Sequence, residues 1–274
     1  MRIVSLNAWG GKVWPALPDW IAAEVPDILC LQEVTRAPVP SPDWLVYEDD
    51  FRRLDQRADL FADVSKCLPR HQGLFAPAAR GVMRDGQGRE VASEHGIAAW
   101  IAPHLAVTEY RSVFVHGGFR ADGWGPEPVP RTMQVLRIAD PAAPGTLVVA
   151  HLHGLRDPAG KGDTPAREAQ ARAIRAALED FARPGEPLVL AGDLNILPGS
   201  ATFAFLAGIG LSDLVTGRGH DDTRTVLYDK PVRFADYMLV TPGVPVARFD
   251  LPAEPVLSDH RAMVLSLDWP LGRS

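Results

Sequence analysis

Cysteine is nearly absent: Cys30 and Cys67 are the only two in 274 residues, too few for a disulfide framework or a thiolate metal site. Cys30 lies inside an apolar run, where it behaves as a small core residue. No apolar run approaches the roughly 18 residues that a membrane span needs. Nor does an apolar stretch with a small-residue cleavage site follow Met1, so a cytoplasmic enzyme with no membrane span is the expectation. Lysine is scarce, limited to Lys12, Lys66, Lys161 and Lys230, and the formal net charge is -6. That balance excludes an overall basic surface of the kind that binds long polyanions through counterion release. Tandem repeats, low-complexity tracts and linkers are missing as well, which leaves one domain over residues 1–274. What remains is 46% hydrophobic and 23% charged, ordinary for a globular chain with a sizeable core.

The most informative stretch is Leu188-Val189-Leu190-Ala191-Gly192-Asp193-Leu194-Asn195. Its apolar half, bounded by Pro187 and Gly192, reads as a buried strand, with a carboxylate and a carboxamide at the C-terminal lip. Residues i and i+2 of an extended segment point to one side, so Asp193 and Asn195 can aim at one point. A carboxylate beside a carboxamide, which offers an oxygen or an N–H donor, suits a hard divalent cation and a phosphoryl oxygen better than Zn²⁺. The plainer reading is a turn, because Asp and Asn side chains also bond their own backbone there.

Other strand ends repeat the pattern. Residues 2–7 alternate and open into Ala8-Trp9-Gly10-Gly11, which leaves Asn7 at a strand end. Residues 18–25 read as a short helix stopped by Pro26, and residues 27–34 as a second buried strand carrying Gln32 and Glu33 at its end. An unpaired carboxylate is costly to bury, so Glu33 calls for a cation or a basic partner. Residues 35–94 show weak patterning, expected as helices and loops flanking a cleft, with a hairpin candidate at Arg84-Asp85-Gly86-Gln87-Gly88-Arg89. Strands are expected at 96–101, 111–115, 131–138 and 145–151, the last running into His151-Leu152-His153. The loop 116–130 is long enough to be functional, and its Phe119 and Trp124 serve either to stack on a substrate or to pin the loop. Thr164 and Pro165 cap a helix over 166–182, and Ser200 opens another over 200–207. Asp236 lies within a strand over 233–240, and Ser258-Asp259-His260 precedes the closing strand.

In chain order these ends give Asn7, Glu33, His151, Gly192-Asp193-Leu194-Asn195, Asp236 and Ser258-Asp259-His260. The set resembles the endonuclease/exonuclease/phosphatase superfamily, with similarity from Asn7 to His260. The resemblance implies an α+β fold, a four-layer α/β sandwich of two packed, mainly antiparallel sheets flanked by helices. It also implies a metal-dependent phosphoester hydrolase using Mg²⁺, for which Mn²⁺ can substitute. Glu33 matches the metal ligand, with Asn7 beside it and Asp259 as a second. Asp193 matches the residue that orients or deprotonates water, Asn195 its phosphate-contacting partner, His260 the essential histidine and Asp236 the acid that holds it. His151 matches a position close to phosphate, although Ala150 stands where relatives have Thr. Arg131, Arg167 and Gln170 resemble polar positions near the cleft, as do Glu94 and His95.

The expected reaction is in-line attack of activated water on a phosphoester, with nucleic acid or a nucleotide-like phosphodiester as the leading substrate. The alternative is the same chemistry on a lipid headgroup or inositol phosphate, which the acidic net charge favours and to which His151-Leu152-His153 bears a sphingomyelinase-like resemblance. A non-catalytic binding module is the remaining class. No obligate protein partner is indicated. A salt titration separates the first two, because polyanion binding weakens steeply with salt.

Overall fold

In the computed structural model, which describes residues 1–48, 53–125 and 128–269, apolar alternation sorts side chains to the two faces of each strand. The elements run β1 (Arg2–Asn7), α1 (Ala16–Glu24), β2 (Ile28–Arg36), β3 (Trp44–Glu48), β4 (Arg53–Arg57), α2 (Leu60–Cys67) and β5 (Gln72–Arg84). They continue with β6 (Glu90–Ile101), β7 (Ala106–His116), β8 (Arg131–Ala139), β9 (Thr146–His153), α3 (Pro165–Phe181), β10 (Leu188–Asp193) and α4 (Ala201–Ala207). The last are β11 (Ser212–Asp213), α5 (Leu214–Gly217), β12 (Asp236–Val240), β13 (Val246–Asp250) and β14 (Met263–Leu267).

Two sheets form, one ordered β13-β14-β1-β2-β6-β5-β3-β4 and the other β11-β12-β10-β9-β8-β7. Pairing is antiparallel except for β1 with β2 and β9 with β10. Ile3, Cys30 and Ala99 of the first sheet enter one apolar core with Val135, Val149 and Leu190 of the second. Their neighbours Val4, Leu29, Leu31 and Ala98 turn the other way and meet Leu17, Ile21, Leu60 and Val64 of α1 and α2. Ile174 and Leu178 of α3 join the core from the far side of the second sheet. The layers are therefore helix, sheet, sheet, helix, the expected sandwich, and a strand buried on both faces explains why the apolar runs lack simple alternation.

Capping agrees with the sequence. Thr164 accepts from the Arg167 N–H at the start of α3, and Ser200 accepts from Thr202 at the start of α4. The segment 35–94 departs from the expectation. Apart from α2 it is largely strand, because β5 and β6 form a long hairpin across the Asp85–Gly88 turn. The turn falls at the expected place, but the outward residues of its strands meet solvent and leave little apolar periodicity to read. The strand expected over 233–240 begins only at Asp236.

Both parallel pairs end at one edge, and the register there fixes the site. Asn7 pairs with Gln32. Asp193 stands opposite His153 on one side and Asp236 on the other. Gly192 makes this possible: its φ is 140°, and a Cβ there would lie 2.0 Å from the Leu152 carbonyl oxygen. Gly192→Ala is expected to destabilise the fold by about 2–4 kcal/mol, since the β9–β10 pair must part to admit one methyl. Urea unfolding measures it, and a change within the scatter of surface substitutions would contradict this packing.

Candidate active site

Glu33 reaches the sheet edge through a bulge. Between Leu31, which pairs with Ala98, and Val34, which pairs with Gly96, Gln32 and Glu33 face Ile97 alone. Glu33 takes up the extra residue with φ 55°, a left-handed conformation uncommon for Glu. Its carboxylate is thereby aimed at Asn7, whose Nδ2 donates to Glu33 Oε1 and Asp193 Oδ2, both at 3.0 Å. The Asn7 Oδ1 accepts from the Trp9 backbone N–H at 3.0 Å, which fixes which way the amide faces. Asn7 therefore joins the cluster as a donor bridging two carboxylates. It stands beside Glu33 as expected, and its Oδ1 keeps a second lone pair beyond the Trp9 contact.

Asp193 is buried, and Asn195 bends back so that its N–H donates to Asp193 Oδ1 at 3.0 Å. Asn195 has φ 54°, a conformation Asn tolerates better than most residues. Two imidazoles flank Asp193 Oδ2: His153 Nε2 at 3.6 Å and His260 Nε2 at 3.7 Å. Asp236 receives His260 Nδ1 on both oxygens, at 2.9 and 2.8 Å. Thr223 seats Asp236 in turn, its hydroxyl accepting from the Ala235 and Asp236 N–H groups.

Arg224 was not foreseen. Its Nη1 donates to Asp259 Oδ2 at 2.8 Å and lies against His260 Nε2, while the guanidinium sits 4.1 Å above the centre of the Tyr228 ring. Lys161 Nζ donates to the Phe234 carbonyl at the rim. Neither carries a local sequence signal, since each comes from an irregular loop that only tertiary contacts bring in.

His151 does not join the group. It is completely buried between the sheets, with Nε2 donating to Gln134 Oε1 at 2.6 Å and Nδ1 3.4 Å from Gln32 Nε2. Burial pushes its pKa down to about 3, which keeps it neutral. The side chain at the cavity is His153, two residues and two register pairs nearer the sheet edge. This corrects the expectation for His151. The missed signal is that His153 ends its strand, as Asn7 and Asp193 end theirs.

Arg131 donates to His153 Nδ1 at 3.0 Å, leaving the Nε2–H tautomer turned toward Asp193. Arg167 borders the cavity, but its guanidinium donates to the carbonyls of Gly160, Gly162 and Leu155. It props the loop after β9, and this replaces its expected role as a substrate contact. Gln170 does likewise, accepting from the Leu155 N–H. Glu94 pairs with Arg36 and Arg80, whereas His95 lines the cavity.

Charge is balanced across the group. Burial works to raise the pKa of Asp193, but His260, His153, Arg224 and Lys161 outweigh it and hold the carboxyl well below the usual range. Burial likewise opposes ionisation of Glu33, and His153 with the Asn7 amide reverses it. For Asp259 burial wins and the pKa rises. Burial depresses His153 to about 4, helped by Arg131. His260 differs: burial disfavours its cation, yet Asp236 and Asp193 raise its pKa above the ordinary imidazole value, with Arg224 opposing.

Asp236→Asn is accordingly expected to lower the His260 pKa by about one unit or more and kcat by about 10²-fold. Stability from the pair is fully present below the unfolded imidazole pKa, down to the carboxylate range, and is lost as pH rises through the raised folded value. Imidazole proton NMR and urea unfolding across pH read both, and an unmoved His260 titration would refute the pairing.

A profile of the Endonuclease/Exonuclease/phosphatase family matches residues 4–260. The chain belongs to that family. Its members are phosphoester hydrolases, and this protein is an enzyme of that class. Similar solved structures include a mannosyl-6-phosphatase of Bacteroides thetaiotaomicron, 14% identical over 98% of this chain and 100% of that one, with a TM-score of 0.70. A family member from Beutenbergia cavernae is 20% identical over 97% of this chain and 70% of that one, with a TM-score of 0.66. The human Nocturnin catalytic domain with bound sulfate is 18% identical over 97% and 92%, with a TM-score of 0.64. At these identities the likeness is one of fold. No curated protein sequence matches significantly. Among the described residues no helix is long and apolar enough to cross a membrane.

Proposed function

We propose that this enzyme is a Mg²⁺-dependent hydrolase that cleaves a nucleotide-like phosphoester by in-line attack of water. One observation carries the reading: strand register sets His153, Asp193 and Asp236 side by side, and His260 closes over Asp193 and Asp236. Asp193 is ionised and lies between the imidazoles, placed to orient a water and accept its proton. His260, with Nδ1 held by Asp236, offers Nε2 to a phosphoryl oxygen, and the raised pKa favours the cationic form as negative charge accumulates there. Arg224 and Lys161 add cationic charge at the same wall of the cavity.

The donor set fits a hard cation. Glu33 is an ionised carboxylate with a one-third exposed side chain opening to the cavity, and Asp259 stands across from it on the same lining. Hard oxygens of this type suit Mg²⁺ or Mn²⁺, and thiolates are absent. Glu33 and Asp259 would hold the ion, which when bound supplies Lewis-acid neutralisation of phosphoryl charge.

A cavity of about 800 Å³, together with a net charge of -6, supports a small phosphoester over a long polyanion. The same observation favours a second reading, hydrolysis of a headgroup, sugar or inositol phosphate. The deciding experiment is a phosphoester panel assayed with Mg²⁺, with EDTA, and with His260→Ala. Turnover confined to the wild type with metal is expected. If every ester survives the wild type with Mg²⁺ or Mn²⁺, the proposal fails, and the panel's preferred ester separates the two readings.

A further inference from the structure

We propose that Tyr47, His95 and Trp124 form a subsite for a planar base, so that the enzyme's substrate is a mononucleotide-sized ester lying with its base on this wall; the inference rests on the hydrolase reading above. The three rings line the same cavity as Asp193 and His260. They come from three separate places: β3, β6 and the segment 117–125 after β7. His95 and Trp124 stack with centroids 4.1 Å apart and planes 29° from parallel. Tyr47 completes the group at 5.9 Å from His95 and 5.8 Å from Trp124.

The wall is rigid and adjoins the reactive end. Trp124 lies flat on Gly81, where a Cβ would come within 2.4 Å of the indole, and it also packs against His95 and Tyr47, which together hold the ring at the cavity. His95 pairs with Thr35, two residues beyond Glu33, and feels the Glu33 charge. Burial depresses His95 to about 4, so its ring is neutral at working pH and stacks without adding a cation. Elsewhere the lining supplies Arg156, Lys161 and Lys230 for anionic groups.

A cavity of about 800 Å³ is in the range of sites that engulf a whole small ligand, far beyond what one phosphate requires. Aromatic faces stack on any base, and the gain is about 10-fold or more in affinity per stacked base. The negative net charge disfavours a long polyanion as the ligand.

The test measures equilibrium binding of adenosine 5′-monophosphate, ribose 5-phosphate and inorganic phosphate to the full chain by calorimetry, in EDTA so that turnover does not intrude. Adenosine monophosphate is expected to bind about 10-fold tighter than ribose 5-phosphate. Trp124→Leu should abolish that preference while leaving ribose 5-phosphate unchanged, and Tyr47→Leu should reduce it without disturbing the contact on Gly81. If Trp124→Leu fails to fold, Tyr47→Leu decides alone. Equal affinity for the two sugars' phosphates, or a preference that survives the substitutions, overturns the subsite. Because the readout is binding, a protein that hydrolyses no phosphoester would sink the hydrolase reading and leave this result legible.

Discussion

Asp193→Asn is expected to lower kcat/KM by about 10³-fold or more while leaving the fold intact. The substitution conserves shape, so Asn195 N–H keeps an acceptor and the β9–β10–β12 register stands. What disappears is a buried negative charge lying 3.6 and 3.7 Å from two imidazoles. His260 then loses one of the two carboxylates that raise its pKa, and His153 loses the acceptor its Nε2 faces. The pH dependence has a definite sign. Because the folded pKa of Asp193 is depressed, its stabilising contribution is present above the ordinary carboxylate value and is lost as pH falls through the folded value. The stability difference between wild type and variant should therefore be largest near neutrality and shrink in acid. Steady-state kinetics on the preferred ester, with urea unfolding at several pH values, checks both parts. A loss below 10-fold would remove Asp193 from the chemistry.

Glu33→Asn separates stability from activity. Glu33 occupies a left-handed backbone conformation that costs a non-glycine residue about 1–2 kcal/mol, and Asn bears that cost better. The variant also removes a carboxylate whose burial is offset only by His153, Asn7 and His260. Its stability should equal or exceed that of the wild type. Activity should fall about 10³-fold, and the calorimetric signal of Mg²⁺ binding should vanish. Strain held at a bulge for the sake of a carboxylate is the behaviour expected of a functional position. A variant markedly less stable than wild type, or one that retains metal binding, would show that Glu33 serves the fold.

Much of the candidate site was legible because it lies at the boundaries of apolar runs. Asn7, Glu33, Asp193 and Asp236 each follow or open an apolar run, and a polar residue at such a boundary is visible in a linear sequence. His151 and His153 show the limit. Both lie on one face of β9, and periodicity cannot say which is at the rim, since that depends on how far β9 extends past its neighbours. Arg224 and Lys161 come from loops without periodicity, and no local rule places them beside His260 and Asp193. Of the β5–β6 hairpin the turn was legible, but most of its strand length was not, because its outward residues meet solvent and leave a mixed pattern.

By itself the sequence determined the buried strands, the caps of α3 and α4 and the polar residues that close the apolar runs, because hydrophobic periodicity and turn chemistry act over a few neighbouring residues. Only the tertiary structure decided the assembly. Gly192 lets two parallel strands close, a bulge rotates Glu33 toward Asn7, and sheet register lines up His153, Asp193 and Asp236. These are contacts between residues far apart in the chain, and their energy depends on which groups share a buried volume, a quantity that no window of sequence contains.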